Sequence, residues 1–250
     1  MWDDEVAVVA VGAGPGGLAY AAVAADAGLD VLITTPPPVS GPAPLSADRG
    51  WLPITGDALT DEYLSELTTG VTVPAMPDSA DLTVRTVYSP PRQRSGKAVV
   101  QTFDGAQLPV WAAVCLASPY GAVLTTVDHW PATRRTADGR SVGVAAIGPA
   151  DGRPVSDWLA DAVREREIAV VADAALRRLV FEDGLVAGAV FDTPEGEYAV
   201  QARHGLALAP ARIPALPAAP VAAEGEFALV GLAGSRFVRL ESVHTTQAAD

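Results

Sequence analysis

Gly12, Gly14 and Gly17 stand in the spacing G-x-G-x-x-G within the run Gly12-Ala13-Gly14-Pro15-Gly16-Gly17. This spacing lets bare main chain lie against a diphosphate. The first glycine permits a tight turn, the second removes a side chain where an anion approaches, and the third lets a helix pack close to a strand. At the helix N-terminus, unpaired N–H groups and the helix dipole favour negative charge. All six positions are therefore candidate cofactor-binding residues. A strand–turn–helix unit with no ligand is the competing explanation, but a glycine turn is hard to account for by packing alone. The same pattern expects an Asp or Glu at the end of the second strand to grip ribose hydroxyls. Here that place falls on Thr34 or Thr35, followed by Pro36-Pro37-Pro38. Losing a carboxylate-to-diol bond costs about 1.5–3 kcal/mol, and a threonine hydroxyl replaces only part of it.

Other reactive residue types are sparse. One cysteine, Cys115, lies in an apolar run, reads as a buried inert thiol, and excludes an intramolecular disulfide framework. His129, His204 and His244 show no metal-ligand spacing, so no metal site is expected. Tyr120, in a Pro-Tyr-Gly turn, is a candidate general acid; its commoner role is a turn tyrosine packed on the helix that carries Trp111. Trp51 and Trp130 either line an apolar pocket or anchor long loops. No nucleophile–base pair and no P-loop is present, and the catalytic residues stay unassigned.

The elements around the turn are legible. Residues 5–11 form a valine-rich strand, 18–27 an alanine-rich helix ended by Gly28, and 30–34 a second strand. Residues 36–56 read as loop, 60–68 as a helix capped by Thr60, and 71–96 as an irregular excursion. Residues 97–103 alternate like a strand, 108–117 form an apolar helix, and 122–127 are extended. An amphipathic helix spans 154–167, and 168–172 form a buried strand. A meander follows: strands 175–182, 185–192 and 197–203 joined by Asp183-Gly184 and Pro194-Glu195-Gly196. Residues 205–209 and 226–232 are two more strands.

This order resembles the layout of FAD-binding domains of the glutathione-reductase type, which implies an α/β fold: a Rossmann-like parallel sheet with a three-stranded antiparallel crossover. The expected organisation is a single domain over 1–250. The glycine fingerprint occupies 1–35, an irregular insertion with two helices 36–150, and the helix, strand, meander and return strand 151–250.

Specific words point further. Trp2-Asp3-Asp4-Glu5-Val6 leading into the glycine turn resembles the start of 3-ketosteroid dehydrogenases and related fumarate-reductase-type flavoproteins. The stretch Gly56-Asp57-Ala58-Leu59-Thr60-Asp61-Glu62-Tyr63-Leu64 is similar to that family too, as is the hairpin Val180-Phe181-Glu182-Asp183-Gly184-Leu185-Val186. The resemblance implies FAD as cofactor, an oxidoreductase or the FAD-binding subunit of one, and an apolar small-molecule substrate. His129 with Arg134 is faintly similar to the substrate-binding histidine and arginine of fumarate reductases, and a solvated loop is the plainer reading of both. The chain departs from the family at several points. Thr35 stands where the family is acidic, and Leu208-Ala209-Pro210 stands where it carries Ala-Thr-Gly-Gly. No room is left for a separate catalytic cap domain. The alternative is thus a degenerate flavin-fold subunit, without catalysis of its own, that serves as structural or regulatory partner of a larger flavoenzyme; a homo-oligomer is a further possibility.

Composition limits the other classes. Seventeen basic against 30 acidic residues give a net charge of −13. Such a surface repels phosphate backbones and anionic membranes, so neither nucleic acid nor membrane is an expected partner. The acidic start Met1-Trp2-Asp3-Asp4-Glu5 is unlike a secretory leader, and prolines interrupt the most apolar late stretch. A cytoplasmic protein with no membrane span is expected.

Overall fold

The computed structural model describes residues 1–38, 50–74, 82–89, 105–126, 131–210 and 225–246. The expected strand at 97–103, together with His129 and Trp130, lies outside the described residues. In chain order the elements are β1 (Asp4–Val6), β2 (Val8–Val11), α1 (Pro15–Asp26), β3 (Val31–Thr34), α2 (Ala58–Leu67), β4 (Val84–Tyr88) and α3 (Gln107–Leu116). Then come β5 (Gly121–Leu124), β6 (Ala132–Thr136), β7 (Ser141–Pro149), α4 (Val155–Glu165), β8 (Ala169–Val171) and β9 (Ala175–Glu182). The last are β10 (Leu185–Thr193), β11 (Gly196–Ala202), β12 (Leu206–Leu208), β13 (Glu226–Gly231) and β14 (Phe237–Thr246).

The strands form two sheets. In the larger, β12, β2, β3 and β8 run parallel in that order. Val8 and Ala10 face one apolar cluster and Val9 and Val11 the other, so β2 is buried on both faces and has no polar residue to alternate. Beyond β12 the sheet changes character. β5 pairs antiparallel with β12, and β14 antiparallel with β5. β14 then joins a closed ring: β14–β4, β4–β6, β6–β7, β7–β13, and β13 back to β14. Parallel pairing links β12, β2, β3 and β8, and separately β14 with β4; the other pairs are antiparallel, so the sheet as a whole is mixed rather than the parallel one expected.

The smaller sheet is the crossover. β9, β10 and β11 form an antiparallel meander, and β1 adds to β11 in parallel. The run 5–11 is thus not one strand. Val6 pairs with Ala202 in the crossover, Val8 with Val31 in the main sheet, and the chain changes sheets at Ala7. The β9–β10 turn has Asp183 at φ 50° and Gly184 at φ 80°, the two left-handed positions of a tight hairpin turn.

Helices α2 and α3, with the crossover, cover the face that holds Val9, Leu32, Leu64, Trp111 and Phe191. Helices α1 and α4 cover the other face, where Trp158 meets Phe227 edge-on at 4.6 Å. α1 buries Ala19, Ala21, Ala22 and Ala24, small residues that allow close approach to the sheet. Three local expectations are corrected. Asp57, not Thr60, caps α2, accepting from the Thr60 N–H at 2.9 Å; Thr60 is already inside the helix. α1 begins at Pro15 rather than residue 18, because proline at the first helical position needs no N–H partner. β8 is an exposed edge rather than a buried strand, with Val170 52% exposed.

Candidate functional site

The glycine turn sits where β2 ends and α1 begins, at the carboxyl end of the parallel strands. Gly12 has φ +93°, a left-handed conformation that side chains rarely adopt, and its N–H donates to Thr34 O at 2.9 Å. That bond ties the turn to the end of β3. Gly17 donates to Gly14 O at 2.9 Å, closing the first turn of α1. A Cβ on Gly17 would lie 2.7 Å from Gly12 O, so close packing between helix and strand is what requires glycine there.

The space beside the other glycines is filled by the chain itself. A Cβ on Gly12 would lie 2.5 Å from Ala209 O, and one on Gly14 2.7 Å from Pro210 O. The Gly14 N–H donates to that same Pro210 oxygen at 2.9 Å. On the far side, a Cβ on Gly16 would lie 2.4 Å from Gly121 O. Gly12, Gly14, Pro15, Gly16 and Gly17 are all buried, and only Ala13 is partly exposed. Pro15 has no N–H. Among the described residues, the N–H groups of Ala13 and Gly16 are the turn's donors without a backbone acceptor.

Thr34 and Thr35 differ in role. Thr34 is fully buried, and its Oγ1 has no hydrogen-bond partner among the described residues. Such a group costs about 1–3 kcal/mol unless something satisfies it. Thr35 is held by its backbone, donating to Val171 O at 3.0 Å and accepting from the Ala174 N–H at 2.8 Å. This pairing locks the end of β3 against the segment that follows β8.

The weaker candidates resolve differently. Tyr120 is buried in the cluster beneath α1, on the opposite face of the sheet from Trp111. It is a packed turn tyrosine, as the plainer reading had it, though packed on α1 rather than on the helix of Trp111. Cys115 is fully buried, and that burial pushes its thiol well above the usual range, consistent with an inert sulfur. Trp51 anchors its segment to α3, its indole N–H donating to Cys115 O at 3.2 Å. Arg134 sits in β6, and its guanidinium donates to Thr133 O at 3.4 Å.

Two cavities stand apart from the turn. One, of about 460 Å³, is lined by Val8, Ala27, Leu29 and His204, the amino ends of the parallel strands. It is therefore at the wrong end of the sheet for the glycine turn. The other, of about 610 Å³, lies between α3, β4 and the β6–β7 turn. Beneath it Glu241 is fully buried and accepts from both Arg85 and Arg239. The two guanidinium carbons lie 5.8 and 5.4 Å from the Trp111 ring centre. The sequence reading missed this cluster. Its signal was the alternation Phe237, Arg239, Glu241, Val243, which places two charged residues on an otherwise apolar strand face.

The family model described as FAD binding domain matches residues 7–236. Among solved structures, 3-ketosteroid-delta4-(5alpha)-dehydrogenase from Rhodococcus jostii RHA1, in complex with 4-androstene-3,17-dione, is similar at 20% identity and TM-score 0.35, over 83% of this chain and 46% of that one. The open conformation of a flavocytochrome c3 fumarate reductase is similar at 19% identity and TM-score 0.34, over 80% of this chain and 33% of that one. Aklavinone-11 hydroxylase, in a ternary complex with FAD and aklavinone, is similar at 20% identity and TM-score 0.31, over 81% of this chain and 32% of that one. This chain spans less than half the length of each. No curated protein matches the chain.

Proposed function

The chain belongs to the FAD binding domain family, whose cofactor is FAD, and from that membership we propose that it is the FAD-binding part of a flavin-dependent oxidoreductase related to the ketosteroid dehydrogenases and fumarate reductases. The observation that carries this reading is the turn from β2 into α1. Gly12 is left-handed, Pro15 starts the helix, and the Ala13 and Gly16 N–H groups have no backbone acceptor among the described residues at the helix N-terminus. These residues fit the diphosphate of FAD on the helix side, and Ala13 and Gly16 are the ones that would hold it. Pro210 is the residue that has to yield, since its carbonyl takes the Gly14 N–H. The flavin, when bound, supplies hydride transfer, and the protein supplies position and electrostatics. Thr34 Oγ1 and Thr35 stand where ribose hydroxyls would be met. An apolar substrate is proposed by analogy with the steroid ligand of the Rhodococcus protein alone.

One observation favours the alternative of a non-catalytic subunit. Pro210 covers Gly14, and threonine replaces the ribose-binding acid, so both halves of the nucleotide grip are weakened together. A single preparation separates the readings. Purified chain incubated with FAD and passed through gel filtration is expected to emerge yellow, with about one flavin per chain. Gly14→Val is expected to abolish that retention, at a cost in stability because a Cβ there would lie 2.7 Å from Pro210 O. A colourless wild-type protein that co-purifies from its native source with a larger flavin-bearing chain would establish the alternative instead.

A further inference from the structure

The cluster under β14 holds more positive charge than its architecture needs. Arg85 alone satisfies Glu241: Nε donates to Oε2, and Nη2 donates to Oε1 at 2.9 Å, a two-pronged pairing that neutralises the carboxylate. Arg239 adds a second guanidinium, whose Nε donates to the already engaged Oε1 at 3.0 Å. One carboxylate thus faces two cations, with side chains 22% and 12% exposed. At the lip of the groove Arg140 is ion-paired with Asp138 and adds no net charge. A surplus guanidinium so far out of water is costly unless an anion or a hydrogen-bond acceptor completes it. The Trp111 ring beneath both arginines offsets part of that cost and holds them in place.

The walls of the groove are of the opposite kind. Val84 and Val110 line it and are 55% and 58% exposed, with Val114 and Leu232 beside them. Exposed valines on both a strand and a helix, meeting over a cationic floor, describe a site with one apolar part and one anionic part. The whole chain carries −13, so anions are repelled at long range and only a local cationic site would hold one.

We propose that the groove between α3, β4 and the β6–β7 turn binds a small amphipathic acid, its carboxylate on the Nη1 edges of Arg239 and Arg85, which have no hydrogen bond to the described residues, and its apolar body along Val84 and Val110. This goes beyond the cofactor reading and does not depend on it. Arg239 pairs in register with Gly121, whose carbonyl abuts Gly16, so the arginine pair and the glycine turn share one end of the sheet.

Isothermal titration of the full chain with octanoate, at fixed ionic strength, tests the site. Saturable binding near one per chain is expected, with octan-1-ol at least tenfold weaker because it lacks the charge. Val110→Glu places a like charge on the apolar wall at an exposed position, so the fold is retained. It is expected to weaken octanoate at least tenfold, with unchanged circular dichroism. Absence of octanoate binding, equal binding of the alcohol, or wild-type affinity in Val110→Glu would each overturn the proposal.

Discussion

Gly16 shows how a single residue is fixed by its neighbours rather than by its element. It lies inside α1 with an ordinary helical backbone, where glycine is about 0.8–1 kcal/mol worse than alanine. Propensity alone therefore says that Gly16→Ala stabilises. The added Cβ would meet Gly121 O at 2.4 Å and Tyr120 O at 2.6 Å, both rigid main chain. We expect the variant to be less stable by about 1–3 kcal/mol, read as a lower urea midpoint with an unchanged slope. The glycine spacing was legible in the sequence because its pattern is local. What faces each glycine was not. Ala209, Pro210 and Gly121 are remote in the chain, and nothing near residue 14 announces them. The same holds for Thr34: its place at a strand end is countable, while its buried, unpartnered hydroxyl is a product of packing.

Among the elements, α2 is docked by one hydroxyl. Thr60 Oγ1 donates to Asp57 Oδ1 at 2.7 Å and accepts from the Leu179 N–H at 2.8 Å. The helix cap and the first crossover strand therefore share a buried atom. Thr60→Val keeps the shape and removes both bonds, and leaves the Leu179 N–H without its acceptor. A loss of about 1–3 kcal/mol is expected, with Thr60→Ser restoring most of it in the same denaturation assay. The sequence offered Thr60 as the cap because it precedes acidic residues; Asp57, three residues earlier, takes that role, and frees Thr60 to reach across. The hairpins of the crossover were legible because Asp183-Gly184 encodes its own turn. β14 was not, although at ten residues it is the longest of the described strands. A turn at Ala233-Gly234 precedes it, with Gly234 at φ +77°, but two of its inward positions are charged, so its apolar face was hidden.

At the scale of the molecule, β14 joins parts that the sequence leaves unrelated. Its first half, Phe237–Arg239, pairs with β5; its second, Ser242–Thr246, pairs with β4; and β13 runs along its other flank. Leu240 lies at the junction of the two halves and is fully buried. Leu240→Ala is expected to cost about 2–5 kcal/mol. Because the strand belongs to both the ring and the main sheet, tryptophan fluorescence and far-ultraviolet circular dichroism should shift together. Two separated transitions would mean that ring and sheet unfold independently. The ring has a second effect. An open sheet of ten strands would offer two flanks of unpaired amides to any neighbour in a crowded solution. Here one flank is folded back upon itself, and among the described residues the other is β8, only three residues long. Unwanted growth of the main sheet by strand addition has a single short place to begin, at Val170, and a lysine there would close it.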